Sequence, residues 1–205
     1  MVPTVPTVPL PRRPLNSSDP VRRWYENELG WATVPGPPVH LVTGLRFDVL
    51  EAPAEAGFAA LRHLGPGSPV ALRGDRMRLL VAAGSADELP GLLDWLEWGA
   101  LAPDLDLTAI GADRSIEAPL PPGTAGALRS SGMPSRSRVP ENSQGAAVWL
   151  RPPEMGREVE PSLPTLSAVG GGGGAPDLVR LVDTMATQCH RVRLRRACAQ
   201  PLAFS

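Results

Sequence analysis

The chain has no lysine, so all 20 of its basic residues are arginine. It also has few aromatic residues (4%), one tyrosine, two cysteines, three histidines and no long apolar run. Each shortage excludes something. Without a continuous apolar segment of about 20 residues there is no candidate membrane span. Cys189 and Cys198, nine residues apart on one expected helix, point about 180° from one another at ~100° per residue, so they cannot pair there. With only His40, His63 and His190 besides, no zinc ligand set is spelled out. The formal net charge is -1, so no global field draws the chain to nucleic acid or to a membrane surface, and any such contact has to be local. The absence of lysine, together with the excess of Ala, Pro and Gly, reads as the mutational bias of a GC-rich genome. It is no evidence for arginine-specific recognition. The first residues carry no basic start followed by an apolar core of the secretory kind, which predicts a cytoplasmic protein.

What is abundant is proline and glycine, 25 and 21 of 205 residues, and they are unevenly placed. Residues 1–20 repeat Val-Pro-Thr, a composition that favours extended polyproline II; the sequence reads as a flexible arm rather than an SH3-type ligand. A folded domain is expected over 21–155, with 42% apolar content in the whole chain to build its core. Within it, 123–144 is rich in Ser, Gly, Pro and Arg and reads as a mobile loop. Its Arg129, Arg136 and Arg138, with Arg151 beyond, are potential phosphate contacts or a solvated surface. A Gly/Pro-rich linker is expected over 156–176, including five glycines at 170–174 that lack the strand and lysine of a phosphate-cradling loop. An amphipathic helix over 177–199 closes the order.

Local signals place the elements. Asp19-Pro20 caps a helix over 21–29 that Gly30 ends, and short strands follow at 31–35, 40–42 and 46–50. Pro53 is expected to open a helix over 54–64, and 70–73 with 77–82 form a hairpin across Gly74-Asp75. Residues 85–98 form the clearest helix: Ser85 and Glu88 stand at capping-box spacing, or Asp87 is the N-cap, which keeps Pro90 in the first turn. Strands are then expected at 105–110, 115–118 and 146–150. The C-terminal helix shows an apolar stripe, Leu178, Leu181, Val182, Met185, Cys189 and Val192, that needs a partner surface. Its basic end, His190 to Arg196, complements the helix dipole or offers a contact to nucleic acid or an acidic partner.

Asp48 stands in an apolar strand. A carboxylate there either satisfies backbone N–H groups of an adjoining turn or belongs to a metal site. Glu51, three residues on, faces away from Asp48 unless the strand breaks early at Ala52-Pro53. Glu55 reads as a helix N-terminal acid, and His63 as a surface residue. Trp31, Trp95, Trp98 and Trp149 are base-stacking platforms or, given their apolar neighbours, packing residues.

In their order and spacing, several segments resemble the N-terminal domain of bifunctional DNA primase/polymerases, the prim-pol family. They are Gly30-Trp31 with Val34-Pro35, Phe47 to Gly57, Gly74 to Ala82, Leu105 to Pro122 and Ala146 to Pro153. Together they span roughly 21–153. The chain is most similar to short, stand-alone members from GC-rich actinobacteria, down to the ending Gln-Pro-Leu-Ala-Phe-Ser. The resemblance implies a mixed α/β (α+β) fold and a two-metal site using Mg²⁺ or Mn²⁺, in which converging carboxylates stabilise attacking and leaving oxygens. Carried over, Asp48 matches the first carboxylate and Asp106 the third, as catalytic or vestigial metal ligands. The second falls on Leu50, with Glu51 the nearby substitute. The Ser-x-His of the hairpin is replaced by Gly74-Asp75-Arg76-Met77-Arg78, where Arg76 and Arg78 are candidate phosphate donors. Two losses predict a nucleotide- or DNA-binding scaffold without full polymerase catalysis. Two other readings stand beside it: an interaction protein presenting the 178–192 stripe to a protein partner, and a nucleotidyltransferase whose site is rebuilt by Glu51, Asp104 or Asp106.

Overall fold

The computed structural model describes residues 19–123, 145–166 and 176–199. The arm over 1–18, the loop over 124–144, the glycine run at 170–174 and the last residues, 200–205, lie outside the described residues. The fold is mixed α+β, with two antiparallel sheets.

Asp19 accepts from the backbone N–H of Val21 and Arg22 and so caps α1 (Pro20–Arg23), which runs on into a π-helical turn, Trp24–Glu28. Strands β1 (Thr33–Val34) and β2 (His40–Val42) follow, then β3 (Phe47–Pro53), α2 (Ala54–Ala60) and a 3₁₀ turn, Leu61–His63. The hairpin β4 (Val70–Arg73) and β5 (Arg76–Ala82) turns at Gly74-Asp75 as the sequence indicates. After α3 (Ser85–Trp95) and a 3₁₀ segment, Gly99–Asp104, come β6 (Thr108–Ile110), β7 (Ser115–Glu117) and β8 (Val148–Arg151). The chain's long helix, α4 (Leu178–Ala199), is last.

The strands form one sheet in the order β6-β3-β5-β4-β8 and a second in the order β1-β2-β7. Strand alternation then divides the core in two. On one face of the larger sheet, Leu50, Ala52, Met77, Leu79 and Val81 pack with Ala56 and Ala60 of α2, with Leu89, Leu92 and Leu93 of α3, and with the stripe of α4. On the other face, Phe47, Val49 and Leu80 pack with Leu41 and Ile116 of the smaller sheet and with Tyr25 and Trp31. The architecture is therefore helices, five-stranded sheet, three-stranded sheet. Tyr25 ties the second layer together: its hydroxyl donates to Pro119 O at 2.6 Å and accepts from Trp149 Nε1 at 2.9 Å, and burial pushes its pKa far up.

Gly44, in the turn between β2 and β3, is required by two things at once. Its φ is +85°, and a Cβ there would overlap the backbone of Ala112, with Ala112 N at 2.8 Å.

Three sequence expectations are corrected here. First, β3 runs on past its expected end at Leu50, and the early break at Ala52-Pro53 that would have freed Glu51 to join Asp48 does not occur. The strand stays paired with β5 through Pro53↔Arg76, and Pro53 is the N-cap of α2 rather than its first residue. Second, the capping box of α3 does not form, because Gly84 is the N-cap (φ 91°) and Ser85 is buried in the first turn. Third, the described part of the expected linker, 156–166, is packed: Val159 and Leu163 are buried in the second core, and Ser68 Oγ donates to Ser162 O at 2.6 Å.

The stripe of α4 has its partner within the chain. Leu178, Leu181, Val182, Met185, Cys189 and Val192 are all buried. They pack against the larger sheet, α2 and α3, so they are not free for a protein partner. Burial at Cys189, reinforced by the charge of Asp106, pushes its thiol up to about 12, while Cys198 lies exposed. A thiol reagent at pH 8 is expected to modify one cysteine per native chain and two after unfolding, counted by mass spectrometry; rapid modification of both in the native state would show that α4 does not stay docked.

Candidate functional site

Asp48 is 1% exposed. Its alternation with Val49 and Leu50 turns it to the helical side of the larger sheet, and there its Oδ2 accepts from the backbone N–H of Ala86, at 2.9 Å. The strand carboxylate thus caps α3 from outside the helix, at the end where the helix dipole favours negative charge. Oδ1 is buried without a hydrogen-bond partner. Gly111 lies beside it: a Cβ at that position would come within 3.6 Å of Asp48 Oδ2.

Glu51 sits on the opposite face, directly across from Arg78 in the antiparallel pair. Its carboxylate is shared: Oε2 accepts from Arg78 Nε at 2.6 Å and Oε1 from Arg76 Nε at 3.3 Å. Arg76 reaches further, to Asp106 Oδ1 at 2.7 Å and to the Asp106 carbonyl at 3.2 Å. Arg78 is only 6% exposed, and its Nη1 has no partner. Asp106 itself is in the left-handed region at φ 55°, which Asp tolerates better than most residues, so β6 begins two residues later at Thr108.

The pairing of β3 with β6 places the two expected metal ligands at different points along the sheet edge. Val49 faces Ile110 and Glu51 faces Thr108, so Asp48 stands level with Gly111. Asp106 comes two residues before β6 begins, and its Oδ1 is held by Arg76, which faces Pro53 at the far end of β3 from Asp48. Carboxylates sharing one divalent ion must both come within about 2–2.5 Å of it. Asp48 and Asp106 are thus held by different partners at opposite ends of β3, the Ala86 N–H and Arg76, rather than turned onto one ion. Glu51 does not complete one with Asp48 either, because the unbroken strand holds the two on opposite faces. Among the described residues, no three of His, Cys, Asp and Glu come together as a metal-binding group.

The other named acids are also engaged. Asp104 Oδ2 meets Arg193 Nη1 at 2.8 Å, Glu55 pairs with Arg195, and Asp106 Oδ2 lies 3.9 Å from Arg196 Nη1. The basic end of α4 is thus spent largely on the domain's own carboxylates. These pairs are about half exposed and worth roughly 0.2–1 kcal/mol each, against roughly 1.5–3 kcal/mol for each fully buried apolar side chain of the stripe. The stripe holds α4, and the arginines set its end.

His63 bonds through Nε2 with Arg62 Nε at 3.0 Å and with Thr184 Oγ1 at 2.9 Å; burial, then the nearby Arg62 and Arg180, hold its pKa below the usual value. Of the four tryptophans singled out in the sequence, Trp31 is buried, Trp149 bonds to Tyr25 and Trp98 Nε1 donates to Asp183 at 3.3 Å. Trp95 is 71% exposed. Two open cavities lie elsewhere, one lined by Pro37, Val39, Arg73, Glu117 and Leu120 and the other by Gly67, Glu154 and Ser162. Neither is lined by Asp48, Glu51, Arg76, Arg78 or Asp106.

The Glu51–Arg78 pair, which the sequence reading missed, has a signal: an acid and a base directly opposite in adjacent strands, visible once β3 is carried through Pro53. The reach of Asp48 to Ala86 has none, because it joins residues far apart in the chain. Among the described residues, no helix is long and apolar enough to cross a membrane. No family model, no curated protein and no solved structure matches the chain.

Proposed function

We propose that this chain is a non-catalytic binding scaffold with a prim-pol-like domain, one in which arginine–carboxylate pairs occupy the positions that the resemblance gives to metal and nucleotide. The observation that carries this reading is the separation of Asp48 from Asp106, on top of the engagement of Glu51 by two arginines. Two-metal phosphoryl transfer needs converging carboxylates, and positioning errors of even 1 Å are costly. Arg76 and Arg78 support anion binding only in competition with Glu51, so nucleotide affinity at this place is weak in this reading.

The test is a titration of Mn²⁺ or Mg²⁺ and a labelled deoxynucleoside triphosphate, with primer synthesis on a single-stranded template, alongside Asp48→Asn. No synthesis, and no metal-dependent nucleotide binding that differs between the two proteins, is the expected result. Templated synthesis abolished by Asp48→Asn in a sample of unchanged melting temperature would overturn it.

A further inference from the structure

Helices α2 and α4 lie side by side and antiparallel. His63, just past the end of α2, meets Thr184 near the start of α4, and Glu55 at the start of α2 pairs with Arg195 near the end of α4. Between these two ties the pair presents an outer face turned away from the sheet. At about 100° per residue, Arg191 and Leu194 fall on the side of α4 opposite its buried stripe, and Phe58, with Arg62 about one turn on, falls on the side of α2 opposite Ala56 and Ala60. Interpolating between the two ties puts Arg191 level with Phe58. Phe58 is 52% exposed and Leu194 51%, and both arginines are exposed.

This face also carries cations that the domain does not use. Residues 178–199 hold five arginines and a single acid, Asp183. Arg180, Arg193, Arg195 and Arg196 each meet a carboxylate. Arg191 and Arg62 are in no ion pair among the described residues, and Arg62 is engaged at Nε, by His63 Nε2. The helix dipole favours Arg62 at the end of α2. It does not reach Arg191, about two turns before the end of α4, and it gives no reason for an exposed phenyl ring level with that guanidinium.

An exposed aromatic ring among unpaired guanidinium groups matches the chemistry of a single nucleic-acid strand, whose unpaired bases stack on the ring while its phosphates meet the cations. A duplex keeps its bases stacked on one another and leaves the ring unused. An acidic peptide satisfies the arginines without needing the ring. At the margins of the face, the Arg180–Asp177 and Arg195–Glu55 pairs are exposed and therefore weak, so these two arginines are available to phosphate at little cost. With a formal net charge of -1 the whole chain supplies no attraction of its own, so such a contact depends on this local patch.

We propose that the outer face of α2 and α4 binds single-stranded nucleic acid, with Phe58 as the stacking platform and Arg62 and Arg191 as phosphate contacts. The face lies on the helical side of the larger sheet, away from the Glu51–Arg78 pair on the other side. It goes beyond the scaffold reading and does not depend on it, since neither metal nor nucleotide takes part.

The experiment measures binding of the full chain to a labelled oligothymidylate of about 20 nucleotides, by fluorescence anisotropy over a salt series without metal. Phe58→Ala is expected to bind about tenfold more weakly with an unchanged salt slope, and Phe58→Tyr to bind like wild type. Arg62→Gln/Arg191→Gln is expected to bind at least tenfold more weakly and to flatten the log–log salt slope by about 1.4, or about 0.7 for each lost phosphate contact. Arg114→Gln/Arg151→Gln removes two other arginines that are in no ion pair among the described residues, and is expected to stay within about twofold of wild type. Four results would overturn the proposal. They are no binding by wild type at low salt, an equal loss in the Arg114/Arg151 control, a Phe58→Ala variant or a duplex that binds as tightly as wild type binds the single strand, and displacement of the strand by polyglutamate as readily as by unlabelled oligothymidylate, which would point to an acidic protein partner. Binding is read without metal, nucleotide or synthesis, so its failure is separate from a failure of the scaffold reading.

Discussion

Leu181→Ala is expected to lower the free energy of unfolding by about 2–5 kcal/mol, because it removes a fully buried side chain from a core that cannot collapse around the gap. The comparison that gives the number meaning is Arg193→Ala. That change breaks the half-exposed pair with Asp104 and is expected to cost no more than about 1 kcal/mol. Equilibrium urea denaturation of both variants, with unchanged slopes, would establish that α4 is part of the folded domain and is held by its stripe. A tethered helix awaiting a partner would give the reverse: Leu181→Ala would leave domain stability within about 0.5 kcal/mol of wild type. Two separate unfolding transitions in the wild-type chain would also contradict a single core.

The elements set by local chemistry were legible in the sequence. The β4-β5 hairpin follows from two β-prone runs around Gly74-Asp75, and the Asp19-Pro20 cap and the Gly30 stop bracket the first helix as expected. The alternation of Asp48, Leu50 and Ala52 against Val49 and Glu51 already assigned the two faces of β3, and the structure keeps that assignment by carrying the strand through Pro53. What the sequence could not show is non-local. The surface that receives the α4 stripe is assembled from β3, β4, β5, α2 and α3, so the periodicity shows an apolar face without showing what covers it. The same holds for the acids. Asp106 reads as a strand residue from its apolar neighbours Leu105 and Leu107, yet its left-handed φ takes it out of the strand to meet Arg76. In sequence, Leu92, Leu93 and Leu96 surround Trp95 and suggest packing over base stacking. Helical rotation puts it about 90° or more from the centre of that buried face.

Asp48 separates a metal ligand from a helix cap most sharply, because the two roles rank its substitutions differently. As the acceptor for the Ala86 N–H, Asp48 leaves a buried donor unsatisfied when truncated, so Asp48→Ala is expected to cost about 1–3 kcal/mol. Asp48→Asn keeps an oxygen at the same place and loses only the charge facing the end of the helix, an effect of about 0.3–1 kcal/mol. The unpartnered Oδ1 acts in the same direction: a buried anionic oxygen without a donor is costly, and neutralising it offsets part of what the lost dipole interaction removes. The expected order of stability is wild type, then Asp48→Asn close behind, then Asp48→Ala well below, in thermal and urea unfolding without added metal. Adding Mn²⁺ should leave all three curves where they are. A metal ligand would behave otherwise: wild type alone would gain stability with Mn²⁺ by mass action, and the asparagine and alanine variants would lose that gain equally. Because the asparagine variant remains folded on the capping account, a metal-dependent rise in wild type absent from Asp48→Asn would refute the cap as the full role of this residue.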